Sequence, residues 1–384
     1  MNILFLSNNH LSPTEGGIER TTFNLVRELS KDVSYKIFAV FITIPVRIPR
    51  VECVEDIIHN GKQINDYIEK FSIDIIIFPT GAWYANLLKS YNPLLKCKII
   101  TCLHSPPKVG EDYIIKNLKL EWNKKTLKIK VAFLPQLIYT FIKYPFKVIQ
   151  VRRQYNKGYT NSDAYVLLSK SFFNDFQKYA NLDDIIKLRA IGNSLSFDEF
   201  YKVADIKLKK NEILVVSRFD EISKRISYAI KVWQLLDQKT WQFRIVGFGK
   251  DEDLYKNMVK EADIKNISFE GKRDPINYYK NAKIFLMTSS FEGWGMTLLE
   301  ALQMGCVPVV MDSFTALHDI IKHNYNGIII KNNDIDGMAK AVQYLIDNES
   351  EFLRMSKNAI DSSSEFTKEK IAMKWKELFF NLTE

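Results

Sequence analysis

Short apolar runs rich in Ile, Val and Phe recur along the whole chain, and between them the apolar residues fall at helical spacing. In the first half the runs cover 3–7, 37–42, 73–79, 98–104 and 164–169. In the second half they cover 212–219, 243–249, 267–271, 284–288, 307–311 and 327–330. Runs that are continuous rather than alternating suit strands covered by helices on both faces. A strand–helix succession of this kind predicts an α/β protein built on two doubly wound parallel sheets. The length of 384 residues accommodates two such domains. The second pattern restarts at Ile213, so the boundary is expected within 194–206. That gives a first Rossmann-like domain over 1–195, a second over 196–365 and a terminal helix over 366–384. Ile371, Met373, Trp375, Leu378 and Phe379 form the apolar set of that helix. In open α/β sheets ligands bind outside the carboxyl ends of the strands, so the expected site is a cleft faced by the two domains.

Charge narrows the choice of partners. Between Lys116 and Lys157 stand eleven Lys or Arg and one acid, Glu121; this segment carries +10, and the rest of the chain sums to −1. The basicity is therefore local, and a general affinity for nucleic acid is not implied. The same segment holds an apolar stretch that includes Phe133, Leu137, Phe141, Phe146 and Ile149, with Pro135 and Pro145 predicting broken helices. It reads either as a basic amphipathic element at an anionic membrane surface or as a face packed on the first domain with solvated charges.

Cys53, Cys97, Cys102 and Cys306 form no Cys-x-x-Cys pair and no His-x-x-x-His accompanies them, which argues against zinc and against a disulfide framework. Buried free thiols are expected. The first residues lack the basic lead of a signal peptide, and no run reaches a membrane span. The expected location is cytoplasmic, peripheral on the inner face of the cell membrane if the basic segment binds lipid.

The chemistry concentrates in four places. The run Ser290-Phe291-Glu292-Gly293-Trp294-Gly295-Met296-Thr297-Leu298-Leu299-Glu300-Ala301 follows one strand and opens a short helix, predicted over 296–304 and ended by a left-handed Gly305. Gly293 and Gly295 would bare backbone N–H groups at the helix start, where a phosphate binds well. Glu292 stands before that helix and Glu300 about two turns inside it, so a ligand spanning the distance would use both. Second, Ser217-Arg218-Phe219-Asp220-Glu221-Ile222-Ser223-Lys224 puts an Arg and a Lys on the loop after a strand, a pair suited to neutralising a diphosphate. Third, Gly16 and Gly17 make a turn after the first strand. Fourth, His104 ends a strand.

The Glu292-x7-Glu300 segment resembles the signature of the family 4 retaining glycosyltransferases of GT-B type. In that family the first Glu contacts the donor sugar and the second holds the ribose hydroxyls. Arg218 and Lys224 are similar to its phosphate-binding pair, with Ser217 where a Gly is usual. Gly16-Gly17-Ile18-Glu19 resembles its Gly-Gly-x-Glu loop, and His104 a histidine often found near the donor sugar. Gly247-Phe248-Gly249 matches its Gly-x-Gly after a strand. Glu270-Gly271-Lys272-Arg273 matches the loop that lines the nucleobase. Asn193-Ser194 stands where Asn-Gly or Asn-Pro is common.

The resemblance implies a GT-B fold whose C-terminal helix crosses back to the first domain. It implies a retaining, metal-independent hexosyltransferase that takes a nucleotide-diphosphate donor, by default a UDP-sugar, without a cofactor. Glu292, Arg218, Lys224 and His104 would be catalytic. Gly16, Gly17, Gly247, Lys272, Arg273, Gly293, Trp294, Gly295, Met296, Thr297, Leu298 and Glu300 would bind the donor. The implied acceptor is a glycan or lipid-linked glycan of bacterial surface polysaccharide, capsule or lipopolysaccharide. No Asp-x-Asp metal motif stands at a strand end. A nucleotide-sugar epimerase on the same fold and a non-catalytic, membrane-bound partner of another transferase are the alternatives. A dehydrogenase is excluded, because Glu252 stands where Gly247-Phe248-Gly249 would need a third glycine.

Overall fold

The computed structural model describes residues 1–108 and 127–384 apart from 239, together with Ile114, Leu118 and Trp122; of 127–139 and 141 it describes the backbone alone. The chain divides into two compact units, Met1–Ser194 with Phe366–Glu384, and Leu195–Glu365.

Among the described residues the first unit holds seven strands: β1 (Asn2–Leu6), β2 (Lys36–Phe41), β3 (Val51–Glu55), β4 (Ile75–Phe78), β5 (Lys98–Leu103), β6 (Ala164–Leu167) and β7 (Leu188–Ala190). All pair in parallel, in the order β3-β2-β1-β4-β5-β6-β7. Chain direction across the sheet reverses between β1 and β4, the switch point of a doubly wound fold. Both faces are buried, which is why the runs are continuous. Phe5, Ile75 and Ile77 pack on one side with Phe23, Val26 and Leu29 of the helix Gly17–Leu29. Leu4, Ile76 and Phe78 pack on the other with Ile64 and Ile68 of the helix Gly61–Phe71. The terminal helix Lys368–Thr383 belongs to the first of these cores through Ile371, Trp375, Leu378 and Phe379, and Lys376 donates to Asp32 at 2.6 Å. Met373, assigned to the apolar set of that helix, is instead exposed.

Two strands escape the sequence reading. Both are edges, where one-sided cover weakens the apolar signal. β3 reads Val-Glu-Cys-Val-Glu and is half exposed, and β7 has three residues. The broken helices predicted from Pro135 and Pro145 are also corrected: one helix runs from Leu127 to Asn161. A proline removes one ladder donor and crowds one carbonyl, a local cost of ~3 kcal/mol that does not end a ladder of this length. Most of 109–126, where the basic segment begins, lies outside the described residues. On the described part of the helix, Ile142, Phe146 and Ile149 are exposed at spacings of four and three, beside exposed Lys143, Lys147, Arg152 and Arg153. No helix among the described residues is long and apolar enough to cross a membrane.

Among the described residues the second unit holds six parallel strands in the order β10-β9-β8-β11-β12-β13. They are β8 (Lys210–Val216), β9 (Gln242–Val246), β10 (Ile267–Gly271), β11 (Ala282–Met287), β12 (Val307–Asp312) and β13 (Ile328–Lys331). Its switch point lies between β8 and β11. The helix Met296–Gln303 follows β11, and Gly305 closes it at φ +68° as expected. All four thiols are free; Cys97, Cys102 and Cys306 are buried, whereas Cys53 is half-buried.

Candidate active site

The carboxyl ends of β8 and β11 meet at the switch point of the second unit, and the two strongest sequence motifs stand there. After β8 the chain passes exposed Arg218, is capped by the Asp220 carboxylate accepting from the N–H of Ile222, and makes the short helix Glu221–Lys224. After β11 it passes Thr288, Ser289 and Ser290 to Glu292. Hydrogen bonds lace the two loops together. The N–H of Ser290 donates to the carbonyl of Ser223 at 2.8 Å, and the Thr288 hydroxyl lies 3.0 Å from the carbonyl of Lys224. Lys224 thereby comes to pair with the Glu292 carboxylate, and both side chains are largely buried, with 17% and 14% of their surface exposed. The Ser289 hydroxyl donates to the same carboxylate at 2.7 Å.

Gly295, in the left-handed region at φ +86°, is the N-cap of the helix Met296–Gln303. The first N–H groups of any helix lack intrahelical acceptors, so Gly293, Met296, Thr297 and Leu298 border an electropositive helix start. Trp294 is buried. Glu300 is the fifth helical residue, nearer the start than the sequence reading put it, and only 1% exposed. Ser196 donates to its Oε1 at 2.7 Å and Tyr279 to its Oε2 at 3.0 Å.

At the neighbouring strand ends, Gly247 lies against β8. A Cβ there would stand 1.8 Å from the carbonyl oxygen of Ser217, so only glycine allows the two loops to approach. Lys272 and Arg273 are exposed beyond β10, with the Lys272 ammonium 5.1 Å from the centroid of the Phe248 ring. Arg218, Lys224, Gly247, Lys272, Arg273, Glu292, Gly293, Gly295 and Glu300 thus all belong to one unit and to its carboxyl edge or the helix beside it.

His104, Gly16 and Gly17 belong to the other unit. Gly16 caps the helix that Gly17 begins, as the Gly-Gly turn predicts. His104 follows β5 and is half-buried. Desolvation holds its pKa down to about 4, against a hydrogen bond to the Asn193 side chain that raises it. Its Nδ1 has no partner among the described residues. With Thr21, Thr22, Asn193, Lys368 and Trp375 it lines a cavity of about 30 Å³, room for one or two waters. Among the described residues no three His, Cys, Asp or Glu side chains cluster as metal ligands would.

Residues 196–362, nearly the whole second unit, match the family of glycosyl transferases group 1. The chain is 29% identical over 221 residues to an uncharacterized glycosyltransferase of Haemophilus influenzae, covering 56% of this chain and 61% of that protein. It is 25% identical to the poly(glycerol-phosphate) alpha-glucosyltransferase of Bacillus subtilis, covering 45% of this chain and 26% of that one. The matches thus span less than two thirds of either relative. In fold, the chain is similar to the Anabaena HepE protein solved with UDP and glucose, with a TM-score of 0.71, 15% identity, and coverage of 99% and 100% of the two chains. The GT-B fold class follows from such neighbours together with the two parallel sheets.

The sequence reading missed Ser196, Tyr279, Ser289 and Arg225. A serine before a strand and a tyrosine on a short helix give no signal that separates them from ordinary surface or core residues. Arg225 follows Lys224 directly, yet no pattern announces that it is buried.

Proposed function

We propose that the chain is a retaining glycosyltransferase that moves a sugar from a nucleotide-diphosphate donor to an acceptor glycan. The observation that carries this reading is the Lys224–Glu292 pair at the switch point, beside exposed Arg218 and the helix start at Gly295. A diphosphate leaving an anomeric carbon develops negative charge while the sugar gains oxocarbenium character. Arg218, Lys224 and the helix start are preorganised positive groups for that charge. They supply what a metal would otherwise supply, so transfer proceeds without one. Glu292 takes the sugar hydroxyls and Glu300 the ribose, while Lys272 and Arg273 border the base.

A UDP-sugar is the favoured donor, supported by the fold neighbour solved with UDP and glucose. A bacterial surface polymer or lipid-linked glycan is the favoured acceptor, supported by the poly(glycerol-phosphate) glucosyltransferase among the relatives. The exposed Ile142, Phe146 and Ile149, with Lys143 and Lys147 alongside, support peripheral docking on an anionic membrane. Co-sedimentation with phosphatidylglycerol vesicles is expected, and Phe146→Glu abolishes it; equal sedimentation of the two proteins contradicts the membrane reading.

Thermal-shift titration with UDP, GDP, ADP and CDP tests donor binding. A ligand that binds only the folded state raises Tm by mass action. The expected result is a rise with UDP that is lost in Arg218→Ala. No shift with any nucleotide contradicts the reading.

A further inference from the structure

Arg225 is a long charged residue in a place built for glycine. Its backbone lies at φ 48°, ψ 48°, in the left-handed region that side chains other than glycine rarely adopt, and the residue is only 8% exposed. Every arm of its guanidinium is engaged. Nε donates to the carbonyl of Thr288 at 2.7 Å, and Nη2 to that of Ser289 at 2.6 Å. Nη1 donates to Oδ1 of Asn333 at 2.5 Å, and Nη2 also to Oδ1 of Asn332 at 2.9 Å. Neither these four oxygen acceptors nor the Met311 sulfur, 3.8 Å from Nη2, is a carboxylate, so this buried cation is solvated by oriented dipoles.

Three loops meet at that one fork: the loop that carries Lys224, the carboxyl end of β11 and the turn after β13. Arg225 reaches both members of the catalytic pair. It is the chain neighbour of Lys224, and it fixes the backbone of Ser289, whose hydroxyl donates to the Glu292 carboxylate at 2.7 Å.

We infer that Arg225 is the positioning residue of the donor site: its guanidinium sets the separation and orientation of Lys224 and Glu292, and through them the affinity for the donor diphosphate. This rests on the functional reading above. A planar fork held at fixed angles does this where a lysine cannot, since an ammonium is a point charge without directional arms.

The test is a double-mutant cycle on UDP affinity, measured by calorimetry on the full chain. Arg225→Gly keeps the left-handed backbone free of strain while removing the fork. In the wild-type background it is expected to weaken UDP about ten-fold. In the Lys224→Ala background, where nothing is left to position, it is expected to cost less than about two-fold. Asn333→Gly, which tolerates that residue's φ of 69° and removes one acceptor, is expected to reproduce the loss in smaller measure without replacing the arginine. Should Arg225→Gly fail to fold, Asn333→Gly carries the same cycle. Losses that add in the two backgrounds mean that Arg225 acts on general stability, and overturn the inference alone. A Lys224→Ala variant that binds UDP as the wild type does overturns the functional reading and this inference with it.

Discussion

The ammonium of Lys224 pairs with Oε1 of Glu292, and the hydroxyl of Ser289 donates to the same oxygen at 2.7 Å. The two ionic groups come from loops after β8 and β11, so the pair forms only when both strands end in register. In the proposed reaction each of its members meets a different part of the donor, the lysine the phosphate and the glutamate the sugar. Lys224→Ala is therefore expected to lower kcat/KM for the donor about a hundred-fold, by removing charge stabilisation that grows in the transition state. Glu292→Gln keeps the shape of the side chain and is expected to cost kcat more than donor KM. Steady-state kinetics on both variants checks this, and a change confined to KM in both contradicts it.

Tyr279 donates to the buried Glu300 carboxylate at 3.0 Å, and Ser196 to its other oxygen. Removing a donor from a buried carboxylate takes away one of the hydrogen bonds that offset its desolvation. Tyr279→Phe is expected to destabilise the second unit by about 2 kcal/mol, measured by urea unfolding. Ser196→Ala, at the more accessible side, is expected to cost less.

Acidification should unload stability from the first unit through His104. Its folded pKa is held down to about 4, whereas an unfolded histidine titrates near 6.5. Between those values the unfolded chain binds more protons, so stability falls as the pH falls from about 6.5 to 4, by at most about 1.4 kcal/mol per pH unit. Above about 6.5 this contribution is constant. His104→Gln should flatten the dependence of Tm on pH in that window, and an unchanged slope contradicts the assignment.

Gly247 lies where a methyl group would stand 1.8 Å from the carbonyl oxygen of Ser217. Gly247→Ala is expected to push the Ser217–Arg218 loop off the end of β9 at a cost above about 2 kcal/mol. Loss of UDP binding should accompany the drop in Tm. A variant with wild-type Tm and UDP affinity contradicts the close approach.

Most of this architecture is legible in the chain itself. Ile75–Phe78 reads Ile-Ile-Ile-Phe because both faces of β4 are buried, and that continuity is the signal of a parallel sheet. β3 and β7 were not legible, since an edge strand is covered on fewer sides and its pattern fades into that of a loop. Pro135 and Pro145 misled because local propensity yields to a long cooperative ladder. Within the site, Glu292, Glu300, Arg218 and Lys224 stood out because glycines and strand ends frame them. Arg225 did not, because its importance lies in a left-handed backbone and four acceptors drawn from distant segments. Ser196 and Tyr279 were hidden for the same reason: a hydrogen bond to Glu300 across 104 or 21 residues leaves no local trace.

The central claim is glycosyl transfer with retention, and the anomeric configuration of the first product tests it most directly. Incubation of the full chain with UDP-α-hexoses, with water as the default acceptor, can be followed by proton NMR of the anomeric region. The account predicts release of UDP with the α-anomer of the free sugar appearing first, and release about a hundred-fold slower from Lys224→Ala. First appearance of the β-anomer would contradict retention. A donor that binds but isomerises without releasing UDP would contradict transfer itself.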